Sequence, residues 1–376
     1  MHIEQRLWTV GEGWRDLTPR LQQPAQWVMG FGAREVLADP AHFNALRADY
    51  PTAHLLLNST SGEIFDTTVI DHALIVTAVH FEQTQLQTAA IHIQECTDSR
   101  DAGRRLGAML TAPELAHVFV ISDGLQVNGS ELVLGLRESL PAGIPVTGGL
   151  AGDAARFGQT LVGLDAMPAS GKLAAIGLYG TRIRVGHGSV GGWDTFGPER
   201  TITRAQANVL YELDNQSALA LYKSYLADEA AGLPGTGLLF PLSIRVDGGE
   251  PIVRTILAVD EAAQSMTFAG DMPVGASARL MKANFDRLVE GAGDSAEQSL
   301  ATLNGQADLA ICISCVGRKL VLGQRIDEEV EAVRDILGNE TIITGFYSYG
   351  EISPFTAAGL CELHNQTMTI TTLQEV

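Results

Sequence analysis

A chain of 376 residues, 45% hydrophobic and 18% charged, has ordinary globular composition and length for two domains or one large core. Its formal net charge of −19, with no cluster of Lys and Arg, argues against nucleic-acid binding and against an acidic membrane surface. Four scattered cysteines argue against a disulfide-framed secreted domain.

In chain order, residues 1–10 carry Glu4 and Arg6 and lack the apolar core of a signal peptide. The best apolar run, at 74–79, suits a buried strand rather than a membrane helix, so a cytoplasmic protein is expected. A first unit starts with a strand at 28–30. Asp39 then caps a helix with Pro40 at its first position and Phe43, Leu46 and Tyr50 on one face. A strand at 55–57 leads to a turn ending in Gly62-Glu63-Ile64, and a further strand covers 72–79.

A looser copy follows: a strand at 118–121, a helix opened by a capping box of Asn128 and Glu131, and a strand at 144–147. Gly152-Asp153 and a strand at 171–178 complete it. Residues 182–190, 252–259 and 266–268 read as further strands, and 205–226 and 276–290 as helices. The Gly/Pro-rich stretch 231–237 is the expected boundary between domains at 27–226 and 232–373. A third copy has a strand at 309–313, a helix capped by Asp327, a strand at 342–344, the turn Gly350-Glu351-Ile352 and a last strand at 364–371. The spacing from Asp39 to Gly62 equals that from Asp327 to Gly350.

Each unit thus reads strand, helix, strand, Gly-acid turn, returning strand. A parallel crossover followed by an antiparallel return predicts an α/β (α+β) fold of mixed sheets with helices on a face and two pseudo-similar halves.

Catalytic motifs are weak. Residues 186–191 formally fit G-x-G-x-x-G, but Gly192-Trp193 and the Pro198 that follows cannot open the helix a dinucleotide site needs. No serine-nucleophile motif recommends itself, so the chain is not expected to be an enzyme. Cys312 and Cys315 lie three apart on a strand and face opposite ways, so neither zinc nor a disulfide is expected there. Cys315, at the strand end, is reachable. His187 sits in a glycine-rich turn and His364, with Asn365, starts the last strand. Either is also readable as a strand-edge residue with a satisfied hydrogen bond. Glu63, Asp153 and Glu351 stand at strand ends, where ligand sites form, but equally where a carboxylate accepts the turn's own N–H groups.

In three places the sequence is similar to the FIST family: residues 147–153, the His187-Gly188 turn, and 208–214 with Ala218-Leu219 for its N-terminal half. Residues 268–275, 314–318, 345–352 and 364–367 carry the resemblance to its C-terminal half. The resemblance implies a bacterial sensory module that binds a small ligand. It further implies similarity to the NosP nitric-oxide-sensing haemoproteins, which act on histidine kinases or cyclic-di-GMP enzymes. No kinase, cyclase or methyl-acceptor segment follows the last family strand, so a separate signalling partner is expected, with a homodimer as an open option. On that reading haem is the cofactor, His187 or His364 its axial ligand, and Arg254, Arg318 or Arg325 the partners of its propionates. The alternatives are a sensor of an amino acid or other small polar metabolite, using the Gly-acid turns and Asn365, and an enzyme with Cys315 or Glu351 as nucleophile or base. One principal pocket is expected, lined from both halves and including His364 or His187 and at least one of Arg318 and Glu351.

Overall fold

The computed structural model describes residues 1–246, 249–303, 305–355 and 359–376. Each predicted unit folds around a central strand made of consecutive buried residues, the pattern of a strand covered on both faces. In the first unit Trp27–Gly32 pairs in parallel with His54–Ser59 and antiparallel with Ala73–His80. In the second, Leu115–Ser122 pairs in the same way with Val146–Leu150 and Lys172–Tyr179. In the third, Leu309–Cys315 does so with Ile342–Ser348 and Met368–Glu375. A further strand lies antiparallel on each returning one: His2–Thr9, Gln85–His92 and Ile183–Val190, respectively.

The three units also exchange strands. Glu63–Phe65, after the first unit's turn, pairs with Ile342–Ser348 of the third. Gly350–Pro354, after the third unit's turn, pairs with Val146–Leu150 of the second, and Val162–Leu164 of the second pairs with His54–Ser59 of the first. The exchange runs once round, so the sheets form a ring with pseudo-threefold symmetry, and its units are spread over both halves of the sequence. Phe31, Ile121 and Ile313, one from each central strand, are buried in a shared inner core, where Phe31 meets Phe346 with ring centroids 4.8 Å apart. Full burial of such side chains contributes about 1.5–3 kcal/mol each. Helices cover the outer faces: Pro40–Asp49 on the first sheet, Ser99–Leu110 with Gly129–Ser139 on the second, and Phe285–Leu300 with Ile326–Leu337 on the third.

Between Ile183–Val190 and helix Phe285–Leu300 the chain leaves the ring and builds a separate lobe. Its sheet contains Asp194–Gln206, Val209–Leu213, Leu242–Arg245, Ile252–Arg254, Ile256–Asp260, Ser265–Phe268 and Ser277–Lys282, with helix Ala218–Leu226 against it. Ile202, Leu210, Tyr222, Ile244, Met266 and Phe268 form its own core.

Four expectations change. Of the run 205–226 only Ala218–Leu226 is helical. Ala207, Asp214 and Asn215 take positive φ and turn the preceding chain into short antiparallel strands. The run 276–290 divides into strand Ser277–Lys282, whose buried Ala278 and Leu280 alternate with exposed Arg279, and a helix that begins at Phe285 after its cap Asn284. Asp327 lies inside the first turn of its helix and accepts the backbone N–H of Val69 at 2.9 Å instead of capping. The stretch 231–237 lies within the lobe, and strands from both sides of it share sheets, as Val146–Leu150 and Gly350–Pro354 do.

Candidate functional site

The parallel strands of the second and third units end side by side, and loops at the carboxyl ends of such strands are where α/β folds place ligand sites. After Ser122, Asp123 turns the chain: its buried carboxylate accepts the N–H groups of Leu125, Gln126 and Gly171, each at 2.8 Å. Residues 124–129 are thereby held as a wall, which ends where Asn128 caps helix Gly129–Ser139 by accepting from Ser130 and Glu131. Opposite, strand Leu309–Cys315 ends at Cys315 and runs into helix Val316–Leu322.

The lobe closes over this end of the ring, and of its polar ties to the ring, which include Trp193 Nε1 to the carbonyl of Gln366 at 2.8 Å and Arg287 to Asp194, three lie close to this end. Arg254 donates to the carbonyl of Leu363 at 3.0 Å, Asn128 Nδ2 to Asp271 Oδ1 at 3.0 Å, and Gln366 Nε2 to the carbonyl of Leu238 at 3.4 Å. Between lobe and ring lies a cavity of about 600 Å³, the size of a small-molecule site. Ring residues Leu125, Val127, Leu150, Phe157, Val316, Tyr349 and Leu363 face lobe residues Leu238, Ile256, Leu257 and Phe268 across it. Phe157 and Tyr349 stack with centroids 4.6 Å apart and planes at 18°. Among the described lining residues there is no Asp, Glu, Lys, Arg or His.

Two polar atoms in this wall stand out. Asn365, 1% exposed, donates Nδ2 to the carbonyl of His364 at 2.9 Å, while its Oδ1 has no partner. Thr255, 4% exposed and on the lobe, has an Oγ1 that is likewise unpartnered. A buried polar group left without a hydrogen bond costs about 1–3 kcal/mol, which a bound ligand can recover. Cys315 and the helix cap Asn128 also line the cavity; burial pushes the Cys315 thiol well above the usual range, so it stays protonated.

The other predicted site residues lie elsewhere. His364 points away from its neighbours Leu363 and Asn365. It is 2% exposed, donates Nε2–H to the carbonyl of Ser353 at 2.9 Å, and burial lowers its pKa to about 4. His187 is half-buried opposite Thr371, towards the amino ends of the parallel strands and near His117; burial lowers its pKa also. Arg254 is a clamp between lobe and ring, and burial lowers its pKa to about 10. Arg318 is fully buried and spent on Glu329 at 2.8 Å and on the carbonyls of Gly191 and Leu288. Arg325 is on the surface, paired with Glu328 and Asp286. Glu351 lies behind the wall, accepting from Ser348 Oγ at 2.6 Å and from Thr367 Oγ1 at 3.0 Å. The expected lining from both halves is present, but it includes none of His187, His364, Arg318 and Glu351.

This wall does not offer a site for the histidine-ligated haem expected from the sequence. No described lining residue is a histidine that could bind the iron, and none is a Lys or Arg that could meet the propionates. The equivalent turn of the first unit borders a smaller cavity of about 220 Å³ whose wall is charged, with Glu63, Asp71, Arg156 and Lys319. The lobe contributes nothing there.

Sequence reasoning reached Cys315 and Asn365 through their strand-end positions, and Asn128 as a helix cap. It missed Asp123, Thr255 and Asp271. Asp123-Gly124 directly after an apolar strand was a usable signal for Asp123, whereas Thr255 has none in its local sequence.

Comparison with known proteins gives two adjoining matches, and Leu363, Asn365 and Gln366 of the site lie beyond the second. The profile of the FIST N domain matches residues 26–216, and that of the FIST C domain residues 218–354. No curated protein matches the chain.

Proposed function

The chain belongs to the FIST family, whose domains are linked to small-ligand sensing in signal transduction, and from that premise we propose that the cavity between lobe and ring is its sensory site. The observation that carries the reading is that Thr255 on the lobe and Asn365 on the ring, two residues lining one apolar cavity, each hold a buried oxygen without a partner among the described residues, Oγ1 and Oδ1. A ligand that satisfies both adds a link between two bodies already joined by polar ties and by the apolar cluster of Trp193, Met281, Leu288, Val321 and Leu322. Binding then favours one lobe position over others and changes the surface offered to a partner, which is how occupancy becomes signal. The lobe's main core is separate from the ring's inner core, and the joint between them is that smaller apolar cluster of Trp193 and Met281 with Leu288, Val321 and Leu322, where a shift of the lobe would be taken up.

The finer expectation was a haem-based nitric oxide sensor acting on a histidine kinase or cyclic-di-GMP enzyme. The cavity wall gives it no support, since neither candidate histidine reaches it. A separate signalling partner remains part of the proposal. No helix among the described residues is long and apolar enough to cross a membrane.

The test is a thermal-shift screen of a chemically diverse metabolite panel, with haemin as one member, against the wild type and Leu238→Trp. Leu238 lines the cavity from the lobe, so the larger side chain occupies ligand space. At a ligand concentration of about 100 times Kd the wild type gains roughly 2.7 kcal/mol, visible as a clear rise in Tm. Stabilisers of the wild type are expected to lose their effect on the variant. Stabilisation unchanged by Leu238→Trp places the ligand elsewhere, and a haemin complex with a sharp Soret band in both proteins restores the haem reading at another site.

A further inference from the structure

Resting on that reading, we propose that the ligand is an uncharged, largely apolar molecule carrying N–H or O–H donors, received by Asn365 Oδ1 and Thr255 Oγ1. The wall itself makes the selection. A carboxylate or phosphate entering it would lose its water and meet no cation, because the described lining contains none. The two nearby buried guanidiniums do not line the cavity. Arg254 donates to the carbonyls of Val253, Leu363 and Asp271, and Arg318 donates to Glu329 and to backbone carbonyls.

The helix N-terminus in the wall, at Gly129, is no anion site either. Asn128 Oδ1 already takes the N–H groups of Ser130 and Glu131, and the carboxylate of Asp271 stands beside it at 3.0 Å from Asn128 Nδ2. A cationic ligand is disfavoured by the same absence of counter-charge, since Cys315 is held as a neutral thiol. What remains unsatisfied is acceptor capacity. Asn365 uses one of its two Nδ2 hydrogens on the His364 carbonyl while its oxygen has no partner among the described residues and calls for a donor from the ligand, and the Thr255 hydroxyl, able to donate or accept, can take a second. The stacked Phe157–Tyr349 pair adds a flat aromatic surface to the same wall. Free amino acids, which carry both charges, fall outside this class.

Isothermal titration calorimetry on the full chain with three matched probes tests it: indole, 1-methylindole and indole-3-carboxylate. Indole supplies a flat apolar body with one N–H donor, 1-methylindole removes the donor, and the carboxylate adds a charge. Indole is expected to bind at least about fivefold more tightly than 1-methylindole, the worth of one net hydrogen bond, and the carboxylate more weakly than either. Asn365→Leu or Thr255→Val, or the two together, should bring indole down to the affinity of 1-methylindole while leaving 1-methylindole unchanged, which also shows that the variant is folded. The proposal is overturned if the carboxylate binds as tightly as indole, if neither neutral probe binds, or if the preference for indole survives in the double variant. Leu238→Trp separates the two levels. A preferred carboxylate that this variant blocks leaves the cavity as the site and removes only the ligand class, whereas binding of every probe unaffected by it removes the site.

Discussion

Glu63 and Glu351 are the same residue twice. Each follows a glycine in a Thr/Ser-x-Gly-Glu turn, and each accepts a hydroxyl three residues back, Thr60 at 2.5 Å and Ser348 at 2.6 Å. That hydroxyl also accepts the N–H of the glycine between them, Gly62 or Gly350. Each carboxylate thus takes a hydroxyl of its own turn with one oxygen, while the other oxygen accepts from a more distant segment, the N–H of Ala73 for Glu63 and the N–H and hydroxyl of Thr367 for Glu351. Burial pushes both carboxyls up to about 8, against about 4.3 for an unperturbed Glu. The folded state holds these protons more tightly than the unfolded one. Their contribution is thus full below about pH 4 and is lost as pH rises through 8. Glu63→Gln and Glu351→Gln should raise stability at pH 8.5 by roughly 2–4 kcal/mol each and change it little near pH 5. Thermal melts at the two pH values check this, and an effect equal at both pH values contradicts it. Asp153, the third acid of the series, departs from the pattern: it pairs with Arg34 and Arg156 and accepts the N–H groups of Gly158 and Gln159. The expected equivalence of the three glycines is likewise partial. Gly62 has φ +136°, Gly152 is required for space against the Ser61 backbone, and at Gly350 a Cβ would meet only the side-chain ends of Leu150 and Leu363 at 3.0 Å.

At the scale of elements, the repeat was legible in the sequence because equal spacing between helix cap and Gly-Glu turn reflects equal lengths of helix, strand and turn. The parallel and antiparallel pairings of all three units follow from it. The exchanged strands were not legible. Glu63–Phe65 and Val162–Leu164 are three residues each, too short for a period-two pattern, and their partners belong to another unit. The lobe was misread where Ala- and Leu-rich segments have helical propensity that hairpin turns and packing on the lobe core override. The repeat does carry a close approach that can be tested. In the second and third units the glycine of the parallel strand, Gly148 or Gly345, lies against the central strand. An added Cβ would sit 1.8 Å from the carbonyl oxygen of Val120 or 1.9 Å from that of Cys312. Gly345→Ala must therefore push apart two buried backbones, a cost of about 3 kcal/mol or more, and Gly148→Ala should behave alike. Urea unfolding midpoints measure it. A Gly345→Ala variant as stable as the wild type would mean that the parallel pair is not packed as described.

For the whole molecule, the ring offers strand-end sites of similar construction, and the lobe closes one of them. Sequence alone placed Cys315 and Asn365 at strand ends but could not bring Thr255 to them, because that contact exists only once the lobe has folded back over the ring. The same placement distinguishes the large neutral cavity under the lobe from the small charged one beside Lys319. The account stands on a ligand that touches both bodies at once. Hydrogen–deuterium exchange of the full chain, with and without the strongest stabiliser from the thermal-shift panel, tests that most directly. The prediction is slowed exchange together in residues 124–129 of the ring and 255–257 of the lobe. Protection confined to one body, or centred on residues 60–63 beside Lys319, would contradict it.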